Sequence, residues 1–142
     1  MNKRVITYEE YGKLMKKFVL ELQKYHRGLK FDYVYGPPRG AWPIVTHVSH
    51  HLRIPTLSKY SAYGHERADL YLFDKTLLVC DDINDTGKTF QSIDDQAPSN
   101  CKLFFAALFN KPHSNYRVDV FVEETEDWIV FPWETVDETP NR

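Results

Sequence analysis

Two cysteines in 142 residues are too few for a disulfide framework. Cys80 ends an apolar run and reads as a small buried hydrophobe, and a reducing cytosol is the compartment that fits. Neither sign of charge dominates. Eighteen Lys and Arg stand against twenty Asp and Glu, and the net charge of −2 gives no reason to expect nucleic acid or a membrane surface as a partner. No apolar run approaches the length of a membrane span. The opening Met-Asn-Lys-Arg-Val-Ile-Thr has no signal-peptide pattern and leads straight into a polar helix. Internal repeats and low-complexity segments are missing too. Core material is plentiful: 42% of residues are hydrophobic and 15% aromatic, which suits a single domain with one core.

The pattern along the chain alternates. Thr7 with Glu10 three residues later marks a helix start, and Tyr11, Leu14, Met15, Phe18, Leu22 and Tyr25 continue at helical spacing to about Gly28. Phe31 to Tyr35 reads as a strand that stops at Gly36-Pro37-Pro38, and a second helix runs from about Ala41 to Leu52. Ile54 to Leu57 reads as a short strand, and the polar stretch Lys59 to Asp74 as a mobile loop. Thr76 to Cys80 shows no polar alternation and reads as a buried strand, followed by a helix over Thr86 to Gln96. Lys102 to Phe109, Val118 to Val122 and Trp128 to Phe131 are further strands. Strands alternating with helices predict an α/β fold with a mostly parallel sheet flanked by helices. Ligands of such sheets bind beyond the carboxyl ends of the strands, where the loops Gly36 to Ala41, Asp81 to Thr89 and Asn110 to His113 fall.

The segment Leu77-Leu-Val-Cys-Asp-Asp-Ile-Asn-Asp-Thr-Gly-Lys-Thr89 carries the most chemistry. Its acids can accept hydrogen bonds from hydroxyls or bind a metal, and Asp85 can serve as a base. Thr86 to Thr89 offer hydroxyls and backbone N–H groups where a helix begins, a place to hold a phosphate. A nucleoside-triphosphate loop is excluded, because the glycine it needs five positions before Gly87 is Asp82. A calcium EF-hand is excluded as well, because its twelfth position is Ile93 and not Glu. The histidine pair His47 and His51 shares a helix face, but the sequence between them lacks the Glu of a zinc-protease helix and no third ligand is evident. These histidines read as surface or interface residues.

Residues 77–89 resemble the phosphoribosyl-pyrophosphate signature of type I phosphoribosyltransferases: four hydrophobic residues, two acids, two variable residues, then Asp-Thr-Gly-x-Thr. The resemblance implies that Asp81 and Asp82 lie near the ribose hydroxyls and the Mg2+ they share. It implies that Asp85 lies near the incoming base as the catalytic group, and that Thr86, Gly87, Lys88 and Thr89 wrap the 5′-phosphate. Arg39-Gly40 resembles the first two residues of the family's pyrophosphate loop, with Ala41 where a second glycine is common. In the segment Ser61 to Arg67, which resembles the flexible loop of the xanthine-guanine branch, Arg67 matches an arginine that helps hold pyrophosphate. Phe109-Asn-Lys-Pro112 and Asp127-Trp-Ile-Val-Phe-Pro-Trp-Glu134 resemble the acceptor side of the same branch. There Lys111 matches the lysine that meets a purine O6, and Trp128 and Ile129 match the lining of the purine pocket. The chemistry agrees, since a lysine donates to a ring carbonyl and a tryptophan stacks on a purine face.

The resemblance implies the type I phosphoribosyltransferase fold over residues 1–142, with a small hood built mainly from about residue 110 onward. It implies transfer of a phosphoribosyl group to guanine, xanthine or hypoxanthine in a Mg2+-dependent, cytoplasmic purine-salvage enzyme that forms a homodimer or homotetramer. Two alternatives stay open at this level. One is a non-catalytic phosphoribosyl-pyrophosphate or nucleotide-binding regulator of the same fold, and the other an enzyme for a pyrimidine or orotate.

Overall fold

The computed structural model describes residues 2–57, 59–60 and 72–134. Their elements are β1 (Lys3–Val5), α1 (Tyr8–Leu29), β2 (Tyr33–Tyr35), α2 (Trp42–Leu52), β3 (Thr76–Asn84), α3 (Lys88–Asp95), β4 (Lys102–Asn110), β5 (Val120–Glu124) and β6 (Trp128–Val130). Four strands form a parallel sheet in the order β2-β3-β4-β5.

The apolar runs of β3 and β4 are continuous because both faces of the sheet are covered. Successive side chains point to opposite faces. Leu78 and Cys80 of β3, with Phe104, Ala106 and Leu108 of β4, join the core formed with Phe18 and Leu22 of α1 and Ile44 and Val48 of α2. Leu77 and Val79, with Phe105 and Ala107, join the core formed with Phe90 and Ile93 of α3. One sheet thus separates two cores, and β3, one of its two inner strands, carries the acids toward its carboxyl end.

Thr7 caps α1 as expected, its Oγ1 accepting from the Glu10 N–H at 3.1 Å. Glu10 itself pairs with Arg4 at 3.8 Å. The expected short strand at Ile54 to Leu57 reduces to a single bridge, Val34 to Thr56. Pro55, which has no N–H, contributes only its carbonyl, accepting from Val34 at 3.0 Å.

The N-terminus departs from the expectation of a direct entry into helix. β1 pairs in parallel with β6, Arg4 opposite Ile129, to form a separate two-stranded sheet. The sheet's register is extended by Ile6, whose N–H donates to the Val130 carbonyl at 2.8 Å. Residue 3 to residue 128 is a pairing between chain ends that no local pattern encodes. Among the described residues no helix is long and apolar enough to cross a membrane.

Candidate functional site

β3 runs beyond Cys80, where the apolar pattern ends, to Asn84. Its backbone stays paired with β4 through Asp81 opposite Ala107 and Asn84 opposite Asn110. The two adjacent acids therefore sit within the strand, ahead of its last residues Ile83 and Asn84. Each accepts from the next backbone N–H: Asp81 Oδ1 from Asp82 and Asp82 Oδ1 from Ile83, both at 2.8 Å. Asp82 is 3% exposed, so its position is fixed by the strand that bears it.

Two glycines let backbone approach this end of β3. A Cβ on Gly36, just past β2, would lie 2.6 Å from the Cys80 carbonyl and 2.5 Å from Val45 Cγ2. Only a glycine lets the 36–41 loop run so close to β3. Gly87 has φ of 91°, and a Cβ there would lie 2.6 Å from the Tyr116 nitrogen. That glycine turns the chain out of β3 and into α3. The N–H groups of the first helical residues, Lys88, Thr89 and Phe90, have no intrahelical acceptor and leave the end of α3 positive.

The result is a cavity of about 190 Å³ lined by Asp81, Asp82, Ile83, Asn84, Asp85, Thr86, Gly87 and Thr89, with Pro37, Pro38 and Gly40 opposite. Three carboxylates, those of Asp81, Asp82 and Asp85, share this lining with the Thr86-Gly87 turn that leads into α3. Behind the acids, the Tyr35 phenol has its pKa raised by burial and then by the Asp81 carboxylate.

No protein-family model matches this chain. Over 60 residues it is 40% identical to a xanthine-guanine phosphoribosyltransferase from Desulfotalea psychrophila, a match that spans 41% of this chain and 36% of that relative's length. Two solved structures superpose over nearly the whole chain. A purine phosphoribosyltransferase from Pyrococcus horikoshii does so with a TM-score of 0.75 at 26% identity, covering 98% of each chain. A xanthine-guanine-hypoxanthine phosphoribosyltransferase from Helicobacter pylori does so with a TM-score of 0.72 at 23% identity, covering 94% of each. This chain has the type I phosphoribosyltransferase fold.

Within the phosphoribosyltransferase fold, the signature residues separate by what they offer. Asp81, Asp82, Asp85, Thr86, Gly87, Thr89 and Gly40 line one cavity. Lys88 is not part of that lining: its backbone N–H donates to Thr86 Oγ1 at 3.2 Å, and the residue borders a different groove with Gln91, Ser92 and Asp95. Arg39 is exposed, between the cavity-lining residues Pro38 and Gly40. Arg67 lies outside the described residues.

The acceptor-side residues lie beyond the cavity lining. Lys111 is 5% exposed, its ammonium donating to the Asp127 carbonyl and its backbone N–H to the Asn84 carbonyl at 3.0 Å. Trp128 is half-buried, with the Lys3 ammonium 4.7 Å from its ring centre. Ile129 is wholly enclosed in the core. Lys111 and Trp128 thus meet through Asp127, one residue before the tryptophan, and not by direct contact with the acids.

Two residues escaped the sequence reading. Asn84, a variable position of the signature, donates its amide to Asn110 Oδ1 and to the Tyr116 carbonyl, each at 2.8 Å, and so clamps the third loop against the first acids. His113, on that loop, places Nε2 at 2.9 Å from Asp85 Oδ1. The sequence places the 110–113 loop at the correct end of the sheet, but nothing in it pairs a histidine with an acid 28 residues earlier.

Proposed function

We propose that this protein transfers the 5-phosphoribosyl group from phosphoribosyl pyrophosphate to a 6-oxopurine, giving a nucleoside 5′-monophosphate and pyrophosphate. What carries the reading is the single cavity in which three carboxylates, a glycine turn and a helix start converge at the carboxyl end of β3. In this reaction the bond from C1 of the ribose to the pyrophosphate oxygen breaks, and the pyrophosphate leaves with the electron pair. A ring nitrogen of the purine forms the new bond to C1, and the purine's other imidazole nitrogen gives up its proton.

Each residue has a task in that sequence. The Thr86 to Thr89 turn would bind the 5′-phosphate through N–H groups at the positive end of α3. Asp81 and Asp82 would accept from the ribose hydroxyls. Asp85 would take the purine proton as general base. Arg39 and Gly40, with Arg67, would hold the departing pyrophosphate, whose growing charge they offset. Lys111 would donate to the purine O6, and Trp128 would stack on the ring with Ile129 packed behind it.

A Mg2+ ion suits this donor set in one respect. Among the described residues no group of three or more His, Cys, Asp or Glu side chains forms a cage. Two hard carboxylates that share the ion with substrate phosphates are the usual magnesium arrangement. Asp81 and Asp82 would hold it, and when bound it would neutralise charge on the pyrophosphate. The same reading makes the protein a cytoplasmic purine-salvage enzyme, a homodimer or homotetramer, with its hood drawn from the segment after about residue 110.

The deciding experiment is pyrophosphate release with guanine, xanthine, hypoxanthine and adenine in parallel, with orotate as a further acceptor. Turnover with at least one 6-oxopurine and none with orotate is expected. Release with orotate alone, or with no base at all, overturns the purine reading.

A further inference from the structure

His113 belongs to no motif of the sequence, yet it touches the one side chain to which the proposed reaction gives a proton. Its Nε2 lies 2.9 Å from Asp85 Oδ1. Among the described residues it is the side chain that bonds the Asp85 carboxylate. The pair is not a meeting of two loose ends. The turn that carries His113 is tied to the Asp85 loop on both sides: the Asn115 N–H donates to the Thr86 carbonyl at 3.0 Å, and the Asn84 amide donates to the Tyr116 carbonyl at 2.8 Å. The Tyr116 ring anchors the turn further, edge-on to Phe105 at 4.9 Å and to Phe90 at 6.0 Å.

We infer that His113 is a positioning residue for Asp85, holding one carboxylate oxygen so that the other faces the acceptor base. The inference rests on the phosphoribosyl-transfer reading above. An ionised carboxylate has two oxygens and about four lone-pair sites, so the bond at Oδ1 leaves Oδ2 whole for the purine proton. In such a bond to the carboxylate, Nε2 carries the hydrogen and donates it. Asp85 is 30% exposed and His113 59%. A carboxylate that open to water turns about its side-chain bonds unless something stops it, and a general base works from one geometry. An exposed pair of this kind contributes little to folding, so its effect belongs in turnover and not in stability.

The test uses the full chain and steady-state pyrophosphate release with the best purine. Five proteins are compared: wild type, His113→Leu, His113→Gln, Asp85→Asn and the Asp85→Asn/His113→Leu double variant. His113→Leu should lower kcat by roughly three- to tenfold, a small share of the hundredfold or more expected of the base itself. The KM for phosphoribosyl pyrophosphate and the melting temperature should stay as in wild type. Glutamine, whose amide nitrogen reaches about where Nε2 stands, should restore most of the loss. On the Asp85→Asn background His113→Leu should do nothing more, and where that background is too slow to measure, the glutamine rescue decides. The inference is overturned by an unchanged kcat in His113→Leu, by no rescue with glutamine, or by an equal loss on the Asp85→Asn background. A wild type that releases no pyrophosphate with any base sinks the functional reading instead, a separate outcome.

Discussion

The regions proposed as donor side and acceptor side of this molecule are built by different means. At the end of β3 the backbone does the shaping: a strand paired to Asn84, a glycine at 36 that admits a neighbouring loop, and a glycine at 87 with φ of 91°. On the acceptor side the side chains do it, and they already have partners. Lys111 donates to the Asp127 carbonyl, Trp128 lies under the Lys3 ammonium, and Ile129 fills the core. A site made of backbone demands particular residue types at particular spacing. A site made of side chains can be reached from many sequences.

The largest test of this contrast is Asp85→Asn. Asparagine keeps the shape and removes the proton acceptor, so turnover should fall roughly a hundredfold or more if Asp85 is the general base. The KM for phosphoribosyl pyrophosphate should hardly change, because Asp81, Asp82 and the 86–89 turn are untouched. Unchanged turnover in pyrophosphate release removes Asp85 from the chemistry.

Next in size come the glycines. Gly87→Ala forces a side chain into left-handed backbone and against the Tyr116 nitrogen at 2.6 Å, and should destabilise the fold by about 1–3 kcal/mol. The same change should raise the KM for phosphoribosyl pyrophosphate, since it moves the turn proposed to hold the 5′-phosphate. Gly36→Ala puts its methyl against the Cys80 carbonyl and should show a comparable loss of melting temperature. A Gly87→Ala protein with the wild-type melting temperature and KM would mean that the donor side tolerates side-chain variation, and the contrast collapses.

Lys111 probes the other region. Lys111→Met keeps the stem and loses the ammonium, along with its bond to the Asp127 carbonyl. The purine KM should rise about tenfold, the scale of one lost hydrogen bond, while the phosphoribosyl-pyrophosphate KM stays put. Equal loss for both substrates, with a lower melting temperature, would make Lys111 a structural tie between β4 and the 125–128 segment.

The same division explains what could be read from the sequence. The helix at Thr7, the continuous apolar strands and the acid–glycine signature were legible because each is a local pattern with a physical cause. The extension of β3 through Asp81 to Asn84 was not, since charged residues are poor strand signals and only the β4 partner holds them there. β1 was invisible for a related reason. Three residues, two of them basic, become a strand only when β6 arrives from the far end of the chain. His113 against Asp85 is the same problem at the level of side chains, a contact made by the fold and not by spacing.

The smallest expected effect sharpens the comparison at its rigid end. Cys80 lies on β3 directly before the acids, fully enclosed, and burial with the Asp81 charge pushes its thiol pKa up. Cys101 lies one residue before β4, partly open to solvent, and its thiol is raised as well, by burial first and then by Asp32. Thiolate is the reactive form, so raised pKa slows both, and access then separates them. A thiol reagent applied to the native protein should modify Cys101 slowly and Cys80 only through opening of the sheet, whereas in denaturant both react alike. Equal rates in the native protein would mean that β3 opens readily beneath the acids. The donor side would then owe its geometry to the bound substrate and not to the strand.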